Sequence, residues 1–131
     1  MDELTIESGD DVVRVRQQVR AAAADTGLSL VDQTKVVTAA SELARNALVH
    51  AGGGMARVEV AESAAGRTGI RVTFTDEGPG IPDVDLALTD GWTTGDGLGL
   101  GLSGARRLVD EFELVSKPGA GTSVVVAKWS R

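Results

Sequence analysis

Apolar side chains recur along this chain with two different periods. Residues 3–7 (Glu-Leu-Thr-Ile-Glu) alternate polar and apolar, which predicts a short strand. Beyond them the spacing lengthens, and Val12, Val15, Val19 and Ala22 fall on one helix face. Ser8 and Asp11 form a capping box at the start of that helix, and Gly27 stands where a C-terminal glycine belongs. A second capping box, Ser29 with Asp32, opens a helix running to about Ala51. Its apolar face collects Val36, Ala40, Leu43, Ala47 and Leu48, and Gly52-Gly53-Gly54 ends it.

The short period then returns. Met55 to Glu62 alternates with Ala56, Val58 and Val60 on one side, and residues 64–69 read as a hairpin turn. In the next strand Ile70, Val72 and Phe74 point inward and Arg71, Thr73 and Thr75 outward, with Asp76 continuing the inward parity. Residues 81–96 read as a loop with one helical turn near Val84–Leu88. Leu100 to Glu111 reads as a third helix with Ala105, Leu108, Val109 and Phe112 at core spacing. Two strands close the chain, Phe112–Lys117 and Thr122–Trp129, joined by a turn at Pro118-Gly119-Ala120-Gly121. This order predicts an α+β two-layer sandwich, with helices on one face of a mixed or antiparallel sheet.

Composition narrows the reading. A chain of 131 residues with 42% apolar and 24% charged side chains fits one soluble domain spanning 1–131. With two Trp, two Phe and no Tyr, the core must be built from Val, Leu, Ile and Ala. The absence of cysteine excludes disulfides and thiolate metal sites. No apolar run approaches the ~20 residues of a membrane span, so a cytoplasmic protein without membrane attachment is expected. A net charge of −6 argues against nucleic acid as partner. It still permits one nucleotide, because backbone N–H groups and a helix N-terminus can hold phosphates.

The candidate chemistry sits in the second helix. Glu42 and Asn46 are four residues apart, roughly 40° around the axis, at the edge of its apolar face. Glu42 could be a solvated carboxylate paired with Arg45, or a base that deprotonates a nucleophile. Asparagine is a mediocre helix former, and its oxygen is a hard ligand suited to Mg²⁺. Asp76 could cap the tight Asp-Glu-Gly-Pro-Gly turn, or accept a bond from an exocyclic amino group such as that of adenine. Gly78 and Gly80 fit both, through positive φ or close backbone approach. Gly99-Leu100-Gly101-Leu102-Ser103-Gly104 matches G-x-G-x-x-G, but no strand precedes it and no βαβ unit surrounds it. What remains is glycine-rich backbone at a helix N-terminus, where phosphate is favoured. His50, the only histidine, excludes a histidine-based metal cluster and is expected at the helix end. Trp92 reads as a hydrophobic anchor or a partner contact, and Thr122 as ordinary strand threonine or a hydroxyl near a base.

Taken together, Glu42-x-x-x-Asn46, Asp76-x-Gly78-x-Gly80, Gly97-x-Gly99-x-Gly101 and Gly121-Thr122 resemble the successive boxes of the GHKL (Bergerat) ATP-binding superfamily. Within it, the length, the short lid of residues 81–96 and the ending Lys128-Trp129 are similar to the small bacterial anti-sigma-factor serine/threonine kinases, the stressosome switch kinases in particular. The resemblance implies that Glu42 is the general base for a Ser or Thr hydroxyl and that Asn46 ligates Mg²⁺. It implies that Asp76 binds the adenine amino group of ATP, helped by Gly80 and Thr122. Gly97, Gly99 and Gly101 would wrap the phosphates. The implied substrate is a STAS-domain antagonist protein, with partner switching to a downstream phosphatase or sigma factor in a stress-response pathway. Some relatives carry a basic residue in the lid, whereas residues 81–105 here contain no Lys or Arg. That departure keeps a second reading open, a non-catalytic nucleotide-dependent binding module that sequesters a sigma factor or activates a phosphatase.

Overall fold

Capping chemistry and glycine set the limits of the helices. In the computed structural model, which describes residues 2–78, 101–117 and 119–131, the order is β1 (Asp2–Ile6), α1 (Gly9–Ala24), α2 (Leu30–Ala51), β2 (Gly54–Glu62), β3 (Thr68–Asp76), α3 (Gly101–Arg107), β4 (Glu111–Lys117) and β5 (Gly121–Trp129). The loop and helical turn expected at 81–96, with Trp92, Gly80, Gly97 and Gly99, lie outside the described residues. Ser29 caps α2 by accepting the Asp32 N–H at 3.1 Å, and Gly52 closes it in the left-handed conformation at φ 73. Only half of the box expected at α1 forms. Ser8 makes no side-chain cap, while Asp11 reaches back to the Glu7 N–H at 2.9 Å.

The five strands make one antiparallel sheet in the order β1-β2-β3-β5-β4. Its core-facing side carries Ala56, Val58, Ile70, Val72, Phe74, Val124 and Val126, which pack against Val15 and Val19 of α1 and Val36, Ala40 and Leu43 of α2. The two-layer α+β arrangement expected from the periodicity is therefore observed, with an antiparallel sheet. Among the described residues no helix is long and apolar enough to cross a membrane.

Three local expectations are corrected. Val60 shares parity with Val58 yet is 60% exposed, because β1 pairs with β2 no further than Val58 and leaves Val60 beyond its cover. The third helix ends at Arg107 rather than Glu111. Asp110 diverts the chain: its N–H bonds the Ala127 carbonyl at 2.9 Å and its carboxylate accepts the Trp129 N–H at 2.8 Å, so the chain turns into β4. Asp32 does not complete a capping box. Its carboxylate faces the Lys128 ammonium at 3.7 Å and the Arg131 guanidinium at 3.8 Å.

Lys128 is only 4% exposed and sits on the core side of β5 opposite Ile70, so its charge must be met inside the protein. Asp32 from the start of α2 and Asp110 from the α3–β4 corner, the latter at 3.3 Å, do so. Nearby, the Trp129 indole donates to Glu111 at 2.7 Å beneath the Arg71 guanidinium. Burial raises the Asp110 carboxyl, but the Trp129 N–H, Lys128 and Arg131 outweigh it and hold the group below its ordinary range.

Two outcomes follow from this packing. Ile70→Ala, at a site with no exposure, should cost about 2–5 kcal/mol in urea unfolding, and Val60→Ala less than about 0.5 kcal/mol. A carboxyl with a depressed folded pKa stabilises fully above its unfolded value and loses that contribution as pH falls through the folded one. Stability should therefore drop on acidification below about pH 4, and Asp110→Asn should flatten that limb of the pH–stability curve.

Candidate functional site

The polar edge of α2 supplies the first half of the site. Glu42 and Asn46 both lie half-buried on α2, one turn apart, with a rise of about 6 Å between them. The Glu42 Oε2 atom is shielded from solvent and has no hydrogen-bond partner. Arg45, expected as a possible ion partner, is exposed, and no ion pair joins the two among the described residues. A desolvated carboxylate oxygen without a partner is costly, and helices ordinarily turn such groups to water. That makes Glu42 the candidate group on this helix.

The second half comes from the sheet end. β3 finishes at Asp76, whose inward parity follows Phe74, and its Oδ1 accepts the Gly78 N–H at 2.9 Å. The turn-capping reading of Asp76 is thus realised at one oxygen. The other carboxylate oxygen keeps its acceptor capacity for a second group. Gly78 serves by close approach rather than positive φ, since a Cβ there would sit 2.5 Å from the Cβ of Ala51, the last residue of α2. This contact seats the Asp76 turn against the C-terminal end of the helix that carries Asn46 and Glu42. On the other flank Gly121, at φ +87, lies so near Asp76 that an added Cβ would run into the Asp76 carbonyl oxygen. A hollow of about 210 Å³ lies at this end of the sheet on its outward side, where the row Thr75–Ser123–Val115 lines it together with Asp76, Ala120, Gly121 and Thr122.

Thr122, the second residue of β5, stands directly opposite Asp76, and Ser116 of β4 stands opposite Thr122 in turn. Their hydroxyl oxygens lie 2.9 Å apart, and Ser116 also reaches the Gly121 carbonyl at 3.3 Å. Sequence reasoning missed Ser116, although its parity with Phe112 and Leu114 is the same signal that singled out Asp76. His50 occupies the exposed last turn of α2, at the end expected for it. Gly101 is the first residue of α3, which packs on α2. Thus Glu42, Asn46, Asp76, Gly78 and Thr122 are gathered around the C-terminal half of α2 and the adjoining sheet end. No group of three or more His, Cys, Asp or Glu that could hold a metal occurs among the described residues. Any cation here must rely on few protein ligands, as Mg²⁺ beside phosphates does.

Residues 31–130 match the family described as histidine kinase-, DNA gyrase B-, and HSP90-like ATPase. The serine/threonine-protein kinase RsbT of Bacillus subtilis (strain 168) is 45% identical over 122 residues, covering 92% of this chain and 90% of that protein. The anti-sigma F factor of Pasteuria penetrans is 33% identical over 121 residues, covering 86% of this chain and 79% of the relative. Among solved structures, the RsbU and RsbW domains of a Mycobacterium tuberculosis protein superpose with a TM-score of 0.64 at 24% identity. That likeness covers 100% of this chain and 33% of the other, and it speaks to the fold.

If the unpartnered Oε2 is a cost of the site, its removal should relieve the fold. Glu42→Ala is expected to leave the thermal midpoint unchanged or to raise stability by about 1 kcal/mol, also helped by alanine's helix propensity. Calorimetric unfolding checks this, and a loss of several degrees would show that Glu42 supports the fold.

Proposed function

Because the chain belongs to the histidine kinase-, DNA gyrase B-, and HSP90-like ATPase family, we propose that it is an ATP-dependent serine/threonine protein kinase acting in a partner-switching pathway. The observation that carries the reading is Glu42, a carboxylate oxygen desolvated and unpartnered one turn before Asn46. An acceptor oxygen held ready in this way suits a reaction that removes a proton. The 45% identity to a protein named as a serine/threonine kinase supports it, as does kinship with anti-sigma F factors.

The chemistry divides among the residues already described. Asp76 offers its second carboxylate oxygen to the exocyclic amino group of adenine, with Thr122 beside it, while Gly78 and Gly121 let the end of α2 and the β3 backbone close tightly around Asp76. Gly97, Gly99 and Gly101 would contribute backbone N–H groups to the phosphates, and Gly80 would assist Asp76 at the adenine. Asn46 has the hard oxygen that Mg²⁺ prefers, and Glu42 and Asn46 share one helix face, so the residues fit an Mg²⁺-bound nucleotide. Mg²⁺ bound there would neutralise charge on the phosphates. Glu42 then accepts the proton of the attacking Ser or Thr hydroxyl as its oxygen bonds to the γ-phosphorus and the bond to the ADP oxygen breaks. With no Lys or Arg in residues 81–105, charge stabilisation falls on the metal and the amides, and turnover is slow.

The substrate we infer is a serine or threonine of a STAS-domain antagonist. Phosphorylation releases the kinase to a downstream phosphatase or sigma factor. That same lack of a lid cation favours one second reading, a nucleotide-dependent binding module without phosphotransfer.

Phosphotransfer from ATP to a STAS-domain protein separates the two. Glu42→Ala should lower it at least about 100-fold while ATP affinity stays within about threefold of wild type. Asp76→Ala should weaken ATP about tenfold or more in a Mg²⁺-containing titration. A wild-type transfer rate from Glu42→Ala removes Glu42 as base. Equal ATP affinity in Asp76→Ala removes the adenine contact. ATP binding with no transfer by the wild type leaves the binding module.

A further inference from the structure

Gly54, the first residue of β2, shares the inward parity of Ala56 and Val58. The β2–β3 register pairs Ala56 with Phe74 and Met55 with Thr75, and one further step brings Gly54 level with Asp76. Thr122 of β5 stands on one flank of Asp76, and the other flank belongs to this glycine. Its backbone lies outside the left-handed region, so no turn calls for glycine here. Close approach does. A Cβ on Gly54 would run into the Thr75 carbonyl oxygen and press on the Asp76 Cβ at 3.2 Å. The carbonyl is main chain and cannot swing aside, so any side chain at 54 must displace the end of β3. Asp76 is held there on its remaining sides. Its Oδ1 accepts the Gly78 N–H at 2.9 Å, Gly78 abuts Ala51 at the end of α2, and Gly121 abuts the Asp76 carbonyl. A shifted strand end therefore moves the carboxylate relative to Thr122 and α2.

We propose that Gly54 is a positioning residue for the base site, whose bare flank lets the Asp76 carboxylate reach the exocyclic amino group of adenine. The role rests on the reading of Asp76 as the adenine contact. Hydrogen bonds to a carboxylate are strong but directional, and a recognition group tolerates displacement of only about 0.5 Å. The strand end would have to move on that scale to admit one methyl group. Gly54 lies three residues after Ala51, so the contact also ties the base site to the helix that carries Glu42 and Asn46. Gly53 supplies the contrast. Its φ is +139, and a Cβ there would meet the Ile6 carbonyl oxygen at 2.5 Å, with Ile6 and Glu7 as its nearest neighbours. Substitution at 53 strains the fold beside β1, whereas substitution at 54 strains it at Asp76.

ADP and purine riboside 5′-diphosphate differ only in the exocyclic amino group. The ratio of their dissociation constants therefore isolates the Asp76 contact from the phosphates, the metal and overall stability. Isothermal titration in Mg²⁺ buffer would compare wild type, Gly54→Ala, Gly53→Ala and Asp76→Ala, with a thermal midpoint for each. Wild type should prefer ADP by about tenfold or more, and Asp76→Ala should bind the two alike. Gly54→Ala should keep a preference of no more than about threefold, while Gly53→Ala retains the wild-type ratio despite a lowered midpoint. A full preference in Gly54→Ala, or its equal loss in Gly53→Ala, overturns the role given to Gly54 and leaves the base site standing. Trimethylamine N-oxide favours the compact state and keeps weakened variants folded for the titration. A Gly54→Ala chain that stays unfolded even then also overturns the role, since the glycine would serve the fold alone. Equal binding of the two nucleotides by wild type overturns the adenine contact, and the Gly54 inference falls with it.

Discussion

Val72 and Phe74 of β3 stand directly opposite Val126 and Val124 of β5, and this antiparallel register is what the rest of the molecule depends on. It joins a strand from the middle of the chain to the last one, and so closes the sheet into a continuous apolar floor for α1 and α2. It also carries that floor to its edge. Each residue of the register advances the side chains by one row, so the position after Phe74 and Val124 on the core side is forced to be Asp76 and Thr122. The site is where a packing rule runs out of apolar residues.

The inner face meets polar groups at both ends and treats them differently. At the Lys128 end the ammonium is enclosed by Asp32 and Asp110, with Arg131 beside them, so the charges answer one another within the protein. At the Asp76 end, and along α2 at Glu42, capacity is left over. Buried charge held in a closed set reads as architecture, and buried acceptors held open read as a site. The physics is the same in both places.

That distinction explains what could be read from the residue pattern alone. The helix faces, the alternating strands and the inward parity of Asp76 are local periodicities, and they survive folding unchanged. Glu42 and Asn46 were legible because polar residues at the rim of an apolar helix break a pattern. The cluster around Lys128 was not. Asp32 looks like a capping residue and Lys128 like the solvated end of a strand, and only the contact between the start of α2 and the end of β5 gives them one role. The length of α3 failed for the same reason, since Asp110 bonds residues seventeen or more positions away. Val60 misled because exposure depends on how far a neighbouring strand extends, which no residue within β2 encodes. Ser116 carried the right parity, but serine in a strand raises no alarm until its neighbour across the register is a candidate ligand contact.

Gly78 and Gly121 give this end of the molecule one further property. Where they flank Asp76, peptide meets peptide or helix end with no room for a single added carbon. At these two points the outline beside Asp76 is set by main chain and by the end of α2. Thr122 and Ser116 are the hydroxyl-bearing side chains in the row beside Asp76. Divergence of the site is channelled accordingly. New preferences for a ligand can arise through those hydroxyl-bearing positions, while the outline that receives it stays as the backbone dictates.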